Sequence, residues 1–116
     1  MAEYRIFHNP RCSKSRQTLA LLEENGVAAE VVLYLETPPD RGELAQIATL
    51  LGKPPGEWVR RGEDEYNAAG LGRDASDDEI LDAMAAHPRL IERPIVVRGS
   101  RAVLGRPPEN VLELLD

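Results

Sequence analysis

An α/β fold built on a mixed four-stranded sheet is predicted by three features of the sequence. The first third alternates strand, helix and strand patterns. Two apolar strands joined by Gly99-Ser100 lie near the end, and a group of helical patterns lies between these parts. At 116 residues and 42% hydrophobic composition, the chain suits one domain, residues 1–116, with one core.

Each element follows from local chemistry. Tyr4-Arg5-Ile6-Phe7-His8 reads as a short strand. Asn9-Pro10-Arg11 ends it, because Pro10 has no backbone donor and Asn9 favours turns. Residues 13–25 favour helix, with Leu19 and Leu22 on one face near Thr18 and Ala20, and Asn25-Gly26 as the stop. Residues 30–34 form a second strand rich in β-branched side chains, and a right-handed crossover makes it parallel to the first. After the loop Glu36-Thr37-Pro38-Pro39-Asp40, a helix over 41–51 places Leu44, Ile47, Ala48 and Leu51 at helical spacing. Gly52-Lys53-Pro54-Pro55-Gly56 breaks the pattern, and short helices are expected at 57–61, 63–69 and 77–86. Ser76 with Glu79 opens the last of these as a capping box, and His87-Pro88 closes it. Residues 94–98 and 102–104 are strands of a hairpin. Pro107-Pro108 opens a final helix carrying Val111, Leu112, Leu114 and Leu115. The order β-α-β, helical insertion, β-β-α is that of a thioredoxin-like fold.

A net charge of −6 argues against non-specific nucleic-acid binding, and no apolar run approaches membrane-spanning length. Met1-Ala2-Glu3-Tyr4-Arg5 leads into the first strand without a signal-peptide pattern, so a cytoplasmic protein is expected. A monomer with no nucleic-acid or membrane partner is also expected.

The chain has one cysteine, which excludes an internal disulfide and a Cys-rich zinc site. Cys12 is either a small buried hydrophobe or a reactive thiol. Its neighbours Arg11, Ser13, Lys14 and Ser15 are polar, and it stands between a strand end and a helix start. Free N–H groups and partial positive charge there stabilise a thiolate, and Arg11, Lys14 and Arg16 add charge. His8, four residues earlier, is placed to face the thiol. Ser15 stands where a Cys-x-x-Cys dithiol would have its second sulfur, and Thr18 stands where a Cys-x5-Arg phosphatase loop would have its arginine. His8, Cys12 and His87 are too few and too scattered for a metal site, and none is expected. What remains is a monothiol nucleophile that needs an outside thiol to turn over.

His8-Asn9-Pro10-Arg11-Cys12-Ser13-Lys14-Ser15-Arg16 resembles the signature of ArsC-type, glutaredoxin-coupled arsenate reductases. Leu33-Tyr34-Leu35-Glu36-Thr37-Pro38-Pro39, Arg60, Ile91-Glu92-Arg93-Pro94-Ile95-Val96-Val97 and Gly105-Arg106-Pro107-Pro108 also match, most closely the short YfgD-like subgroup. The resemblance implies that Cys12 attacks arsenate, that Arg60, Arg93 and Arg106 hold the oxyanion, that His8 helps keep the thiol ionised, and that Ser15 hydrogen-bonds near the thiolate. It also implies a cis peptide at Arg93-Pro94. Glutathione and glutaredoxin are implied as reductants, with no bound cofactor. Planar, permanently charged Arg forks suit arsenate oxygens. Yet all of the 14 basic residues except Lys14 and Lys53 are Arg, so Arg at one position carries little information by itself. Two other readings share the fold. A regulator of the Spx type that binds RNA polymerase would ordinarily carry a Cys-x-x-Cys switch, which Ser15 removes. A glutathione-linked thiol protein without arsenate activity is poorly separated by sequence.

Overall fold

The computed structural model describes residues 3–72 and 74–115. The chain divides into two compact units, one of Met1–Thr37 with Arg93–Asp116 and one of Pro38–Glu92.

The first unit holds β1 (Tyr4–Phe7), α1 (Ser13–Glu24), β2 (Glu30–Val32), β3 (Ile95–Arg98), β4 (Arg101–Leu104) and a 3₁₀ helix, Pro108–Leu114. The sheet order is β2-β1-β3-β4. β1 runs parallel to β2, with Ile6 opposite Val31, and antiparallel to β3, with Ile6 opposite Val96. β3 and β4 are antiparallel, so the expected mixed sheet is present. Gly99, at φ 58°, opens the two-residue turn of the β3–β4 hairpin, where a side chain would be strained.

Alternation along β1 sends Tyr4 and Ile6 to one face, where they pack with Leu22, Val96, Val111 and Leu114. Each such buried side chain contributes about 1.5–3 kcal/mol of hydrophobic stabilisation. α1 ends in a Schellman arrangement: Gly26 N–H donates to Glu23 O at 3.0 Å and Val27 N–H to Leu22 O at 2.9 Å. Gly26 at φ 76° makes this turn possible.

In the second unit, α2 (Arg41–Leu51) and α4 (Asp77–Ala86) have the expected bounds. Asp40 caps α2 by accepting from Glu43 N–H at 2.8 Å, and the Ser76–Glu79 capping box is complete. Arg41 bridges the two helices, 2.5 Å from Asp78 and 2.6 Å from Asp82. α3 is the short Asp64–Ala68.

Three expectations are corrected. The second strand ends at Val32 instead of residue 34, because a turn follows in which Glu36 and Thr37 N–H donate to Leu33 O. Residues 57–61 are not a helix: a 3₁₀ turn, Pro55–Glu57, leads into a bridge between Val59 and Ile91. Arg60 N–H donates to Leu90 O at 2.7 Å and Glu92 N–H to Trp58 O at 3.0 Å, and this backbone pairing buries Trp58 and Val59. The last helix is 3₁₀ rather than α, with Pro108, Val111 and Leu114 buried at spacing three. Arg98 and Arg101 take its terminal carbonyls at Leu114 and Glu113.

Candidate active site at Cys12

The β1–α1 connection is built to expose one sulfur. His8 N–H continues the parallel ladder to Val32 O at 2.9 Å. Asn9 then turns the chain: its carbonyl accepts from Cys12 N–H at 3.0 Å and its side chain from Arg11 N–H at 3.0 Å. Arg16 ties back to Pro10 O at 2.9 Å. Cys12 is therefore the N-cap of α1, in extended conformation, and its carbonyl accepts the first helical hydrogen bond from Arg16 N–H.

Cys12 is partly exposed. Its side chain forms no strict cap hydrogen bond, but N–H groups of the first turn act on the sulfur. Burial pushes the thiol pKa up. The backbone N–H of Ser15, the charge of Arg93, the N–H of Lys14 and a hydrogen bond from the Arg93 side chain outweigh it, so the thiol titrates below its ordinary range. Arg106 adds a second guanidinium, with Nη1 3.9 Å from Sγ and 3.2 Å from Arg93 O.

His8 and Ser15 form a buried pair. Nδ1 of His8 lies 2.6 Å from Ser15 Oγ, and that oxygen also accepts from Asn9 N–H at 3.0 Å. Burial first, then the charge of Arg16, hold the His8 pKa below its ordinary value. A neutral imidazole thus braces the turn through Ser15.

Arg93 and Arg106 reach the sulfur because two chain segments approach closely. The Arg93-Pro94 peptide is cis, as is Arg106-Pro107. Gly105 N–H donates to Pro94 O at 2.9 Å. A Cβ on Gly105 would stand 2.6 Å from Thr18 Oγ1 and 2.7 Å from Pro94 Cγ. Thr18 is fully buried, and its hydroxyl faces Lys14 O at 2.8 Å and Gly105 O at 3.3 Å. Sequence reasoning missed Thr18 and Gly105 as supports of the site. The Gly-Arg-Pro-Pro run, with glycine immediately before a site arginine, was the available signal.

The structure thus brings Cys12, His8, Ser15, Arg93 and Arg106 together in the first unit. Arg60 belongs to the second, where its Nη1 lies 2.6 Å from Glu63 Oε1. Among the described residues no group of three His, Cys, Asp or Glu side chains is placed to hold a metal ion.

Residues 7–114 match the ArsC family. The chain belongs to the ArsC family. Its sequence is 51% identical over 117 aligned residues to an arsenate reductase of Neisseria meningitidis serogroup A, covering 99% of this chain and 100% of that protein. It is 50% identical to the YfgD protein of Escherichia coli K12, over 97% of each. The solved arsenate reductase of Vibrio cholerae has a TM-score of 0.93 at 49% identity, over 98% of each chain. The thioredoxin-like fold expected from the element order is therefore present in this ArsC protein. ArsC arsenate reductases use thiol reductants, in keeping with a site that offers one sulfur. Among the described residues no helix is long and apolar enough to cross a membrane.

Proposed function

We propose that this protein is an arsenate reductase with Cys12 as its nucleophile. One observation carries the reading: Cys12 is the N-cap residue of α1, and its thiol lies 3.9 Å from Arg106 Nη1 and is held below its ordinary range by nearby N–H groups and Arg93. At neutral pH arsenate is a dianion, and two convergent forks beside a helix start suit its oxygens. Arg60 is the third anion-holding group on the family resemblance.

Cys12 thiolate attacks arsenic; an S–As bond forms, an As–O bond breaks, and the oxygen leaves as water after protonation. Arg93 and Arg106 stabilise the negative charge on the remaining oxygens as the sulfur closes. His8, kept neutral by burial, acts through Ser15 as an orienting hydrogen-bond partner. Glutathione then forms a second S–As bond with loss of another oxygen as water. The two sulfurs couple, both S–As bonds break, and arsenic(V) takes the electron pair to become arsenic(III), released as arsenite. A glutaredoxin thiol attacks the glutathione sulfur of the mixed disulfide and returns Cys12. The cycle suits a monomer in the reducing cytoplasm, with glutathione and glutaredoxin as substrates.

The test is NADPH oxidation by purified protein with arsenate, glutathione, glutaredoxin and glutathione reductase. Arsenate-dependent oxidation is expected, and Cys12→Ser abolishes it while leaving the fold intact, because a hydroxyl is a poor nucleophile at this pH. No arsenate-dependent oxidation by the wild-type protein would leave a thiol protein that does not reduce arsenate.

A further inference from the structure

Arg106 is exposed, yet its guanidinium is aimed: Nη1 stands 3.9 Å from Cys12 Sγ and 3.2 Å from Arg93 O. A long side chain keeps such an aim only where its own backbone is fixed. The next two residues give no help, because Pro107 and Pro108 have no N–H to donate. The sheet gives little more. β4 is an edge strand, with β3 on one side of it. Gly105 N–H donates inward to Pro94 O at 2.9 Å, so by strand alternation the Leu104 carbonyl turns outward, away from β3.

Asn110 meets both needs. Its Nδ2 donates to Leu104 O and to Arg106 O, each at 3.1 Å. A carboxamide nitrogen has two hydrogens, one for each acceptor, and only that end of the group can serve carbonyl oxygens. Thr18 Oγ1 faces the carbonyl between them, 3.3 Å from Gly105 O. Two side chains thus engage the consecutive carbonyls of residues 104–106. Both are anchored: Thr18 is fully buried on α1, and Asn110 stands in the last helix between the buried Pro108 and Val111.

We propose that Asn110 is a positioning residue for Arg106. Its carboxamide ties the end of β4 to the arginine's own carbonyl and so points the guanidinium at the Cys12 sulfur. The inference rests on the reading of Arg106 as an anion-holding group beside that sulfur. The motif run Gly105-Arg106-Pro107-Pro108 ends before Asn110.

The test needs no arsenate. Iodoacetate and iodoacetamide alkylate the same thiolate, and one is an anion while the other is neutral, so their rate ratio reads positive charge beside the sulfur. Arg106→Gln is expected to lower the iodoacetate-to-iodoacetamide ratio about fivefold at low ionic strength. Asn110→Leu, close in size but without donors, is expected to lower it about two- to threefold with no change in net charge. Asn110→Ala gives the same reading where leucine disturbs the packing. In the Arg106→Gln background the Asn110 substitutions should change nothing further, because they act through that guanidinium. A ratio equal to wild type in the Asn110 variants, a further drop in the Arg106→Gln background, or an Arg106→Gln ratio equal to wild type would overturn the proposal. In arsenate turnover Asn110→Leu should raise KM more than it lowers kcat. Absence of turnover by the wild-type protein would end the reductase reading, while the alkylation ratio still decides the role of Asn110.

Discussion

Replacing Arg106 with Gln removes a guanidinium whose Nη1 lies 3.9 Å from the Cys12 sulfur. At that separation two unit charges attract by about 1 kcal/mol in a water-like dielectric and by about 4 kcal/mol at an effective dielectric near 20. Arg106 is exposed, so solvent screening puts the effect near the lower value. The rate of iodoacetamide alkylation, followed across pH by mass spectrometry, reads the thiolate population directly. The wild-type midpoint is expected below that of a free thiol, and the Arg106→Gln midpoint above that of the wild type. The plateau at high pH should be common to both, since the sulfur itself is unchanged. In about 1 M salt, where the screening length is near 3 Å, the difference should shrink. Superimposable profiles, or a midpoint displaced downward in the variant, would refute the claim that this guanidinium stabilises the thiolate.

Further substitutions test the neighbouring supports. Arg93→Lys keeps the charge but loses the fork, and the arsenate KM is expected to rise about tenfold; an unchanged KM would remove Arg93 from the anion site. His8 has a folded-state pKa below its ordinary value. As pH falls through the ordinary histidine range, about 6.5, the unfolded chain therefore takes up the proton first and stability declines, levelling once the folded-state pKa is passed. Urea midpoints should show this slope in the wild-type protein and lack it in His8→Asn. Leu22 is fully buried in the first unit's core, and Leu22→Ala should lower stability by about 2–5 kcal/mol in denaturant titration. Gly105→Val forces a side chain against Thr18 and Pro94, with an expected cost of about 1–3 kcal/mol. It should also weaken arsenate binding by moving Arg106, and a Tm and KM equal to wild type would show that the close approach is dispensable.

Much of the fold was legible because its signals are local. The capping residues Asp40 and Ser76, the Asn25-Gly26 stop and the Gly99 hairpin turn each act within a few residues, and the helices over 41–51 and 77–86 appear with the expected bounds. The failures lie where a distant partner decides. Residues 57–61 pair with the backbone around Ile91 instead of closing a helical turn. The final segment follows a period of three, with Pro108, Val111 and Leu114 buried and its last carbonyls taken by Arg98 and Arg101 from the hairpin. On α1 the buried line is Ser15, Thr18 and Leu22 rather than the leucines alone, because polar atoms from the His8 turn and Gly105 satisfy the hydroxyls.

By itself the amino-acid sequence determined that a single thiol stands at a strand-to-helix junction, with no second cysteine to resolve it, and its motif run placed the chain beside the arsenate reductases. Order along the chain is enough for such statements, since turn chemistry and helix starts are written in adjacent residues. Only the tertiary structure decided which of the many arginines meet the sulfur. Arg93 and Arg106 are about eighty to ninety-five positions away from Cys12 in sequence, and they reach it because antiparallel pairing of β3 and β4 returns both ends to the edge where β1 finishes. Charge at a site depends on distance in space, and that distance is set by strand pairing and by the close contact at Gly105, neither of which is a property of any one residue.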